Sequence, residues 1–557
     1  MRPVRLLVGG LLLVFFFLFL ILPLYTVVAE GLRPSFLLAA AQNPIYQQGL
    51  WNALVKAVIV TVMVILIAIP LALVTDAYDF PGKSWVHPLI LLPMILPPFV
   101  GALGFQQIFG QFGALNALMG HIGLIDGTQP PDWLGSGRLG VVCLVESLHL
   151  YPILFLNVAT ALANVDPSLN EAAQNMGATR WTRFRRVTLP MIRPGLFAGI
   201  VLVFIWSFTE LGTSLMLGYH RITPVQIFNG ITEMESNPEP YSLVVLLLVI
   251  SAALYLLSRL ILGKSAGPMV GRAVAGSSAK RLSGWRALLP VLLLGSITGM
   301  AVLPHIGVIL LSVAKNWYGT VFPSDFTLDY YAAALSHDLV VPSIIHSLTY
   351  ASLATVACVA AGLAVAIITV RWKPPGWQVL DVMSMMPLAI PGIILAFGYL
   401  GMTARYDILH AWLDPIKNPL VLLVLAYAMR RLPYVVRAAV AGLEQTPVEY
   451  ELAAQNLGAS NTRTLSRIVV PLIAANLLAG ALFAFSFSML EVSDSLILAQ
   501  KKEFFPITRA IYELASILGS GPYIACAFGV WAMTFLAATL VAASRLLGRR
   551  MGSLFRV

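Results

Sequence analysis

The sequence predicts an all-α membrane protein with about twelve transmembrane helices, arranged as two parallel repeats of six. Three observations predict this class: an apolar composition, a series of long hydrophobic segments, and an internal repeat. Of the 557 residues, 59% are hydrophobic and only 11% are charged, and the mean hydropathy is +0.85. Soluble proteins carry about a quarter charged residues. Much of the surface of this chain must therefore face lipid rather than water.

Twelve segments are long and apolar enough to cross a bilayer as helices, which requires about 20 residues. They lie at approximately 6–29, 50–75, 85–110, 138–163, 188–216, 241–262, 287–313, 343–370, 378–404, 418–442, 471–498 and 522–546. The first follows a basic N-terminus, as in a signal peptide, but it is longer than a signal core of about 7–15 residues and shows no small-residue cleavage site. We expect it to be retained as the first spanning helix.

The segment between the sixth and seventh apolar runs divides the chain. Residues 264–286 are rich in Gly, Ser, Ala and basic side chains, a composition typical of a flexible linker. We therefore predict a first membrane half at 1–263, a cytoplasmic linker at 264–286, and a second membrane half at 287–557.

The two halves repeat one another. The phrase EAAQNMGAT begins at Glu171 and AAQNLGAS begins at Ala453, and each copy is followed by a matched proline, Pro190 or Pro471, at a common offset of 281. Further upstream, LLPMILPPFVGALGF matches MMPLAIPGIILAFGY at an offset of 294. The difference of 13 residues falls on the loop after the third segment, which is longer in the first half. Two matched blocks separated by a loop difference indicate an internal repeat.

Basic residues indicate which side of the membrane the repeated phrases face. If the N-terminus is cytoplasmic, both phrases and the C-terminus also lie in the cytoplasm. Segments assigned to that side, with Arg430 and Arg431 included, hold 23 of the 35 Lys and Arg, whereas outer segments hold 9. This excess is the positive-inside pattern. It explains the net charge of +10 without a nucleic-acid partner.

Each repeated phrase predicts a helix–glycine–helix elbow on the membrane surface. In the first copy, Asp166 is suited to cap a short helix that starts at Pro167 and ends at Gly177 in a left-handed conformation. The second copy is expected to run equivalently from Thr446 to Gly458. A single elbow of this kind is as readily an ordinary connecting loop. Two elbows at matched positions indicate a docking device.

These phrases resemble the EAA loop of the permeases of ATP-binding-cassette importers. The resemblance covers the chain as two fused permease halves, is most similar to the ferric-iron and thiamine importer type, and implies a type I importer permease fold in the bacterial inner membrane. In that family the loop is a coupling helix that docks in a groove of a cytoplasmic ATPase. The implied coupling residues are Glu171, Ala172, Ala173, Gly177 and Ala178 in the first copy, and Glu451, Ala453, Ala454, Gly458 and Ala459 in the second.

The second copy departs from the family pattern at its acid. Leu452 stands where Glu171 stands in the first copy, and the carboxylate belongs to Glu451 instead. One residue along a helix turns a side chain by about 100°. The two loops therefore need not contact their partner in the same way.

The resemblance also implies partners and a substrate class. It implies two copies of a cytoplasmic ATPase subunit, which would hold ATP and Mg, and an extracytoplasmic substrate-binding protein, with no cofactor on this chain. A nucleotide-binding loop requires G-x-x-x-x-G-K-S/T, but Ala77 and Ser258 replace the first glycine before the two GKS tripeptides, so we do not expect this chain to be an enzyme. The expected substrate is ferric iron, followed by thiamine, phosphonate or another small polar solute.

Polar residues inside the apolar segments are candidates for a translocation path, because an ionisable group in lipid is costly. Glu210 and Glu491 occupy matched places near the outer ends of the fifth and eleventh segments. Asp494, which is matched by Thr213, lies about one helical turn beyond Glu491. These residues form either a polar wall of the path or interfacial acids that bond to neighbouring helices.

A further intramembrane pair is Glu146 and His149, spaced i,i+3 on one helix face. We expect them to form a hydrogen bond with a structural role, because their matched positions hold Tyr427 and Arg430 and the pair is therefore not repeated.

Two other protein classes compete with the importer. An ion-gradient-driven secondary transporter also has twelve spans and repeats but does not need paired elbows, and a membrane-embedded enzyme would need a catalytic or metal-binding set that the sequence does not suggest.

Overall fold

The structure is a computed structural model that describes residues 2–95, 98–126, 129–135, 137–233, 239–262, 280–388 and 390–547. Within those ranges the ordered elements are almost all helices. Residues 264–279 of the predicted linker lie outside them. The division into 1–263, 264–286 and 287–557 stays a prediction.

Each of the twelve apolar segments lies on a helix or on a bent pair of helices, here named α1–α12. Their bounds are α1 Arg2–Phe16 and Leu22–Gly31, α2 Pro44–Ala77, α3 Val86–Ile95 and Pro98–Phe109, α4 Arg138–Ala163, α5 Leu189–Phe208, α6 Glu239–Leu262, α7 Leu288–Val313, α8 Val340–Ala366, α9 Trp377–Met385 and Gly392–Arg405, α10 Leu420–Gln445, α11 Ala474–Met489, and α12 Gly521–Leu547. Among the described residues, seven helices are long and apolar enough to span a membrane, or ten if each of three bent pairs is one span. The bent pairs are α3, α9 and the one that contains α11.

Shorter elements connect these helices. The remaining α-helices are Pro34–Gln42, Ala114–His121, Pro167–Asn175, Arg180–Arg183, Gly212–Met216, Thr223–Asn229, Asp329–Ser336, Asp407–Leu413, Glu449–Asn456, Asn461–Thr464, Val470–Leu472, Ser493–Leu498 and Ile507–Ala515. Strand β1 (Tyr78–Asp79) pairs in parallel with β2 (Lys280–Arg281), and β3 (Ala314–Asn316) pairs antiparallel with β4 (Asp325–Phe326). Turns of π-helix interrupt α1 at Phe17–Ile21, extend α8 through Ile367–Trp372, and precede α5 at Phe184–Thr188 and α11 at Leu465–Val469.

The two halves pack in the same way, as the sequence repeat predicts. In the first half α2, α4 and α5 contact one another, and in the second half α8, α10 and α11 do so. Each of α5 and α11 ends in a short non-helical break, at 209–211 and 490–492, and a short buried helix follows. The two breaks are matched at the offset of 281.

The first helix of each half crosses to the third helix of the other half: α1 packs on α9, and α7 packs on α3. Matched glycines allow both contacts. A Cβ on Gly104 would lie 1.9 Å from the Pro304 carbonyl oxygen, and a Cβ on Gly398 would lie 2.8 Å from the Pro23 carbonyl oxygen. Small residues let membrane helices approach closely. These two crossings join the halves.

We predict that Gly104→Leu prevents the halves from joining. The nearest neighbour is backbone, which cannot move aside as a side chain can, so the cost should exceed the ~1–3 kcal/mol that is typical of overpacking. Gly299→Leu on α7 is the matched control, because a Cβ there meets nothing within 4 Å. Size-exclusion profiles in detergent should show a folded control and an aggregated Gly104→Leu variant. A monodisperse, stable Gly104→Leu protein would contradict this account of the crossing.

Candidate functional site

The first elbow, residues 166–188, forms the helix–glycine–helix shape that the sequence predicts. Asp166 caps its helix by accepting a hydrogen bond from the Ser168 N–H at 2.9 Å, and this bond lowers the pKa of the Asp166 carboxyl. The helix ends in a Schellman motif, in which the Ala178 N–H donates to the Ala173 carbonyl at 3.0 Å. Gly177 has a φ of +79°, the left-handed conformation that this motif needs.

The second elbow, residues 447–469, ends in the same way. The Ala459 N–H donates to the Ala454 carbonyl at 3.0 Å, and Gly458 has a φ of +86°. The predicted start at Thr446 is wrong. The helix begins at Glu449 without a side-chain cap, because Thr446 instead follows the last turn of α10.

The second limb of each elbow also starts alike. The Thr179 hydroxyl accepts a hydrogen bond from the Thr182 N–H, and the Ser460 hydroxyl, at the matched position, accepts one from the Arg463 N–H. Side-chain oxygens of this kind are the preferred N-caps. In each half a turn of π-helix then leads into α5 or α11. Local hydrogen bonding therefore fixes both elbows in one shape.

Large apolar residues stand at the tips of the elbows, and the sequence analysis missed them. Met176 is 84% exposed and Leu457, at the matched position, is 89% exposed. A single exposed apolar residue is common on a protein surface, but the same exposure at the matched position of both elbows indicates an interaction surface. The available signal was an apolar residue directly before the glycine in both copies. Of the predicted coupling residues, those exposed are Glu171, Ala172, Gly177, Ala453 and Gly458, those half-buried are Ala178, Glu451, Ala454 and Ala459, and Ala173 is buried.

The acids of the two elbows differ in their contacts. Glu451 accepts a hydrogen bond from Arg371 Nε at 2.6 Å. Arg371 also donates to the Leu443 and Thr446 carbonyls, at 3.0 and 2.8 Å, and so ties the end of α10 to the second elbow. Glu171 is exposed and has no ion-pair partner among the described residues. An ion pair therefore ties the second elbow to the ends of α8 and α10, whereas no ion pair among the described residues holds Glu171 of the first elbow.

We predict that Glu451→Gln loosens the second elbow, whereas Glu171→Gln leaves the first unchanged. The lost charge-assisted bond is partly exposed, so about 1 kcal/mol is a realistic loss of local stability. This loss corresponds to roughly fivefold faster amide hydrogen exchange at residues 449–457. Hydrogen exchange with mass spectrometry measures both variants. Equal exchange rates at Glu451→Gln and in the unmodified chain would rule out the tie.

Glu210 lies in the break that follows α5. The Thr213 N–H donates to Glu210 Oε1 at 2.7 Å. Glu210 Oε2, Thr213 Oγ1 and Ser214 Oγ are buried and have no hydrogen-bond partner among the described residues. Buried polar atoms without a partner are rare and call for an explanation. The first break and the short helix after it therefore hold three buried oxygens without a hydrogen-bond partner among the described residues.

The second break is charged. Glu491 pairs with both Arg430 and Arg431, and Asp494 pairs with Arg430 at 3.3 Å. Asp494 Oδ1 has no hydrogen-bond partner in the part of the chain that the structure describes.

The assignment of Arg430 and Arg431 to the cytoplasmic loops is wrong, because both lie inside α10, against the break. Without these two, the cytoplasmic segments still hold 21 of the 35 Lys and Arg, and the excess over the outer segments remains.

The halves meet at the two breaks. A Cβ on Gly212 would lie 3.0 Å from Val492 Cγ1 of the other half. The halves also meet at Arg509, whose guanidinium lies 5.6 Å from the ring centroid of Phe228 and 5.5 Å from that of Tyr512. The Phe228 and Tyr512 rings pack edge to face at 6.3 Å. An aromatic–cation cluster therefore bridges the seam between the two halves, and Thr508, the neighbour of Arg509, donates to the Glu491 carbonyl of the second break at 2.7 Å.

A buried ion pair links helices of the first half. Lys56 on α2 and Glu146 on α4 are 0% and 2% exposed, and they lie 2.7 Å apart. The predicted pairing of Glu146 with His149 is wrong, because His149 Nδ1 instead contacts the Pro93 carbonyl at 2.8 Å. An i,i+3 spacing indicates a shared helix face, but the face also meets other helices. The signal for Lys56 was a lone lysine inside an apolar segment.

Comparison with known proteins gives one family match in each half of the chain. The family is described as "Binding-protein-dependent transport system inner membrane component", and it matches residues 52–265 and again 358–551. Each match contains one elbow and one break.

Individual relatives are named for metal transport. The ferric transport system permease protein FbpB of Actinobacillus pleuropneumoniae is 26% identical over 422 residues, which cover 72% of this chain and 57% of the relative. The FbpB 1 protein of Haemophilus influenzae, whose name assigns it to the same kind of system, is 28% identical over 72% of this chain and 62% of its own length. The molybdenum transport system permease protein ModB of Escherichia coli K12 is 30% identical over 225 residues, 38% of this chain and 91% of ModB. The chain thus spans about three fifths of the length of the ferric relatives.

Proposed function

Because the chain belongs to the family of binding-protein-dependent transport system inner membrane components, with two copies of the family module, we propose that it is the permease subunit of an ATP-binding-cassette importer. The observation that carries the proposal is the pair of matched elbows, each with a left-handed glycine and an exposed apolar tip. An ion-gradient-driven transporter has no use for two such protrusions. An importer permease uses them to bind its motor.

The proposed partners follow from this role. Two copies of a cytoplasmic ATPase subunit hold ATP and Mg, and one copy docks on each elbow. An extracytoplasmic binding protein delivers the substrate to the opposite face. The basic residues favour the arrangement in which the elbows and both chain termini face the cytoplasm of a bacterial inner membrane.

ATP acts on this chain through a difference in binding. The ATPase pair binds one conformation of the elbows more tightly when ATP is present, and this difference shifts the population of transporter conformations. The exposed residues Glu171, Ala172 and Gly177 of the first elbow contact one ATPase subunit. Ala453 and Gly458 of the second elbow contact the other. Movement of the elbows is passed to α5, which starts directly after the first elbow, and to α11, which follows the second elbow after the short helix Val470–Leu472. Each of these helices ends at a break.

The proposed path runs between the two breaks. Broken membrane helices free backbone and side-chain oxygens for a passing solute and commonly form transporter binding sites. Glu210 and Thr213 line the path from the first half, and Glu491 and Asp494 line it from the second. In the described conformation the seam at Gly212 and Val492 keeps the path closed.

We propose ferric iron as the substrate. The ferric relatives align over 72% of this chain, so the alignment includes parts of both halves. ModB aligns over 38% of this chain, which is less than one half. Hard cations prefer oxygen ligands, carboxylates above all, and Glu210 and Asp494 each hold a carboxylate oxygen without a partner among the described residues, beside the equally unpartnered Thr213 hydroxyl. One observation favours an oxyanion such as molybdate instead: Arg509 Nε and Nη1 also have no hydrogen-bond partner among the described residues.

Uptake measurements in intact cells test the proposal. Cells that express the chain together with its ATPase and binding protein should take up radioactive ferric citrate, and excess molybdate should not compete for this uptake. Uptake stops when ATP is depleted and continues when a protonophore dissipates the ion gradient. The opposite energy dependence would establish the ion-gradient-driven class, and competition by molybdate would replace iron as the substrate.

A further inference from the structure

Two kinds of contact hold α4 and α5, the helices on either side of the first elbow, against each other. Near the elbow, glycines of α5 pack directly on α4: a Cβ on Gly195 would lie 2.8 Å from Ala161 Cβ, and a Cβ on Gly199 would lie 2.6 Å from Leu154 Cδ1. Near the break, the Ser207 hydroxyl of α5 donates to Glu146 Oε2 of α4 at 2.5 Å. The helical hairpin is therefore fixed at both ends.

The polar contact at the break end involves a third helix and the break itself. Lys56 Nζ, from α2, lies 2.7 Å from Glu146 Oε1 and 3.5 Å from the Glu210 carbonyl oxygen. The side chains of Lys56, Glu146 and Ser207 are at most 2% exposed. A buried charge is tolerated only when it is paired and hydrogen-bonded, so this set has one favourable arrangement rather than many.

The second half joins the equivalent helices with different residues. Arg431 of α10 donates to the Phe487 carbonyl of α11 at 3.0 Å and also pairs with Glu491 in the break. Tyr427 of α10, at the position matched to Glu146, bonds the Ser495 hydroxyl at 2.6 Å. Near the second elbow, a Cβ on Gly480, the match of Gly199, would lie 3.0 Å from Ala438 Cβ.

The same mechanical connection thus persists where the side chains have changed. Glu146 is matched by Tyr427, and Lys56 by Tyr350 at the offset of 294, so the ion pair of the first half is absent from the second. Both halves nevertheless join the fourth helix to the fifth beside the break. Shared ancestry of the side chains does not explain this agreement, whereas a common mechanical requirement does.

We propose that Lys56, Glu146 and Ser207 are positioning residues that make α4, the first elbow and α5 move as one body, so that displacement of the elbow reaches the break at Glu210. The proposal rests on the proposed function, because it assumes that an ATPase displaces the elbow. Without the contact at Ser207, α5 can slide on α4, and the displacement is absorbed along the hairpin. The substrate need not touch any of the three residues.

Two variants and one control isolate this connection. Ser207→Ala removes only the bond between the helices. Lys56→Met combined with Glu146→Leu replaces the buried ion pair by apolar side chains, a change that is often neutral for folding. The control is Ser147→Ala, which removes an equally buried hydroxyl next to Glu146. Among the described residues, this hydroxyl bonds only the Cys143 carbonyl of its own helix, at 2.6 Å.

The experiment measures whether ATP moves the breaks apart. The full chain, purified with its ATPase and reconstituted in nanodiscs, carries spin labels at His220→Cys and Leu518→Cys, two exposed positions beyond the two breaks. The three native cysteines are buried, so labelling is selective. Electron paramagnetic resonance gives the label-to-label distance without nucleotide and with trapped ATP and vanadate, together with the ATPase rate and the Tm.

We expect the unmodified chain and Ser147→Ala to change distance with ATP. The population that changes should fall about fivefold in Ser207→Ala, as the loss of about one hydrogen bond implies, and at least about tenfold in the double variant, with the ATPase rate and Tm retained. A double variant that responds like the unmodified chain overturns the inference. An unmodified chain that does not respond overturns the proposed function itself, and the two failures are therefore distinct.

Discussion

Uptake is expected to fall at least about tenfold, with the protein still inserted in the membrane and ATP still hydrolysed, when Gly177 and Gly458 are both replaced by valine. Both glycines adopt a positive φ, +79° and +86°. A left-handed conformation costs an ordinary residue about 1–2 kcal/mol, and it is a genuine outlier for a β-branched one. Valine therefore disrupts the Schellman end of each elbow and redirects its tip. The measurement is uptake per ATP hydrolysed.

Asparagine provides the matched control, because it tolerates the left-handed conformation. A Cβ at either glycine meets nothing within 4 Å, so the effect of valine must come from backbone conformation rather than from a clash. Asparagine at both positions should keep most of the coupling. If the valine variant imports as well as the asparagine variant does, the shape of the elbows is irrelevant to transport.

Transport is expected to stop completely, and reversibly, when the seam beside the breaks is cross-linked. The rings of Phe228 and Tyr512 belong to different halves, and their centroids lie 6.3 Å apart. In the double variant Phe228→Cys and Tyr512→Cys, a short, reducible thiol cross-linker should join the halves. Alternating access requires this seam to open, so uptake should cease on cross-linking and return on reduction. Uptake before and after reduction measures the effect.

The control for the cross-link lies within one helix. Trp531 and Phe535 of α12 stack with ring centroids 5.6 Å apart, and cysteines at these positions can be bridged without joining the halves. Uptake should survive this bridge. Continued uptake with the Phe228 and Tyr512 positions fully cross-linked would show that the path does not open at this seam.

The repeated features of the fold could be predicted from the sequence. Composition and segment length predicted the helices, and the matched phrases predicted two elbows with left-handed glycines. These features are local, since a cap, a glycine and a proline act within a few residues. Asp166 and Gly177 take the conformations that their residue types favour.

The contacts between helices could not be predicted in the same way. Arg430 and Arg431 were assigned to a loop because they are charged. Both instead lie inside α10, where Glu491 of the second break offsets their charge. His149 looked like the partner of Glu146 because the two share a helix face, yet Lys56 approaches from a helix that is distant in the sequence. A partner across helices depends on helix rotation and depth, which one sequence does not specify.

Cross-linking from the elbows in intact cells tests most directly whether they are the docking sites of a separate motor. Photoreactive residues at Ala172 and Ala453, both exposed, should each capture a polypeptide that binds and hydrolyses ATP. The same probe at Leu518, exposed on the part of the chain beyond the second break, should not capture it. If neither elbow position captures a nucleotide-hydrolysing protein while the chain is importing its substrate, the elbows are not coupling helices.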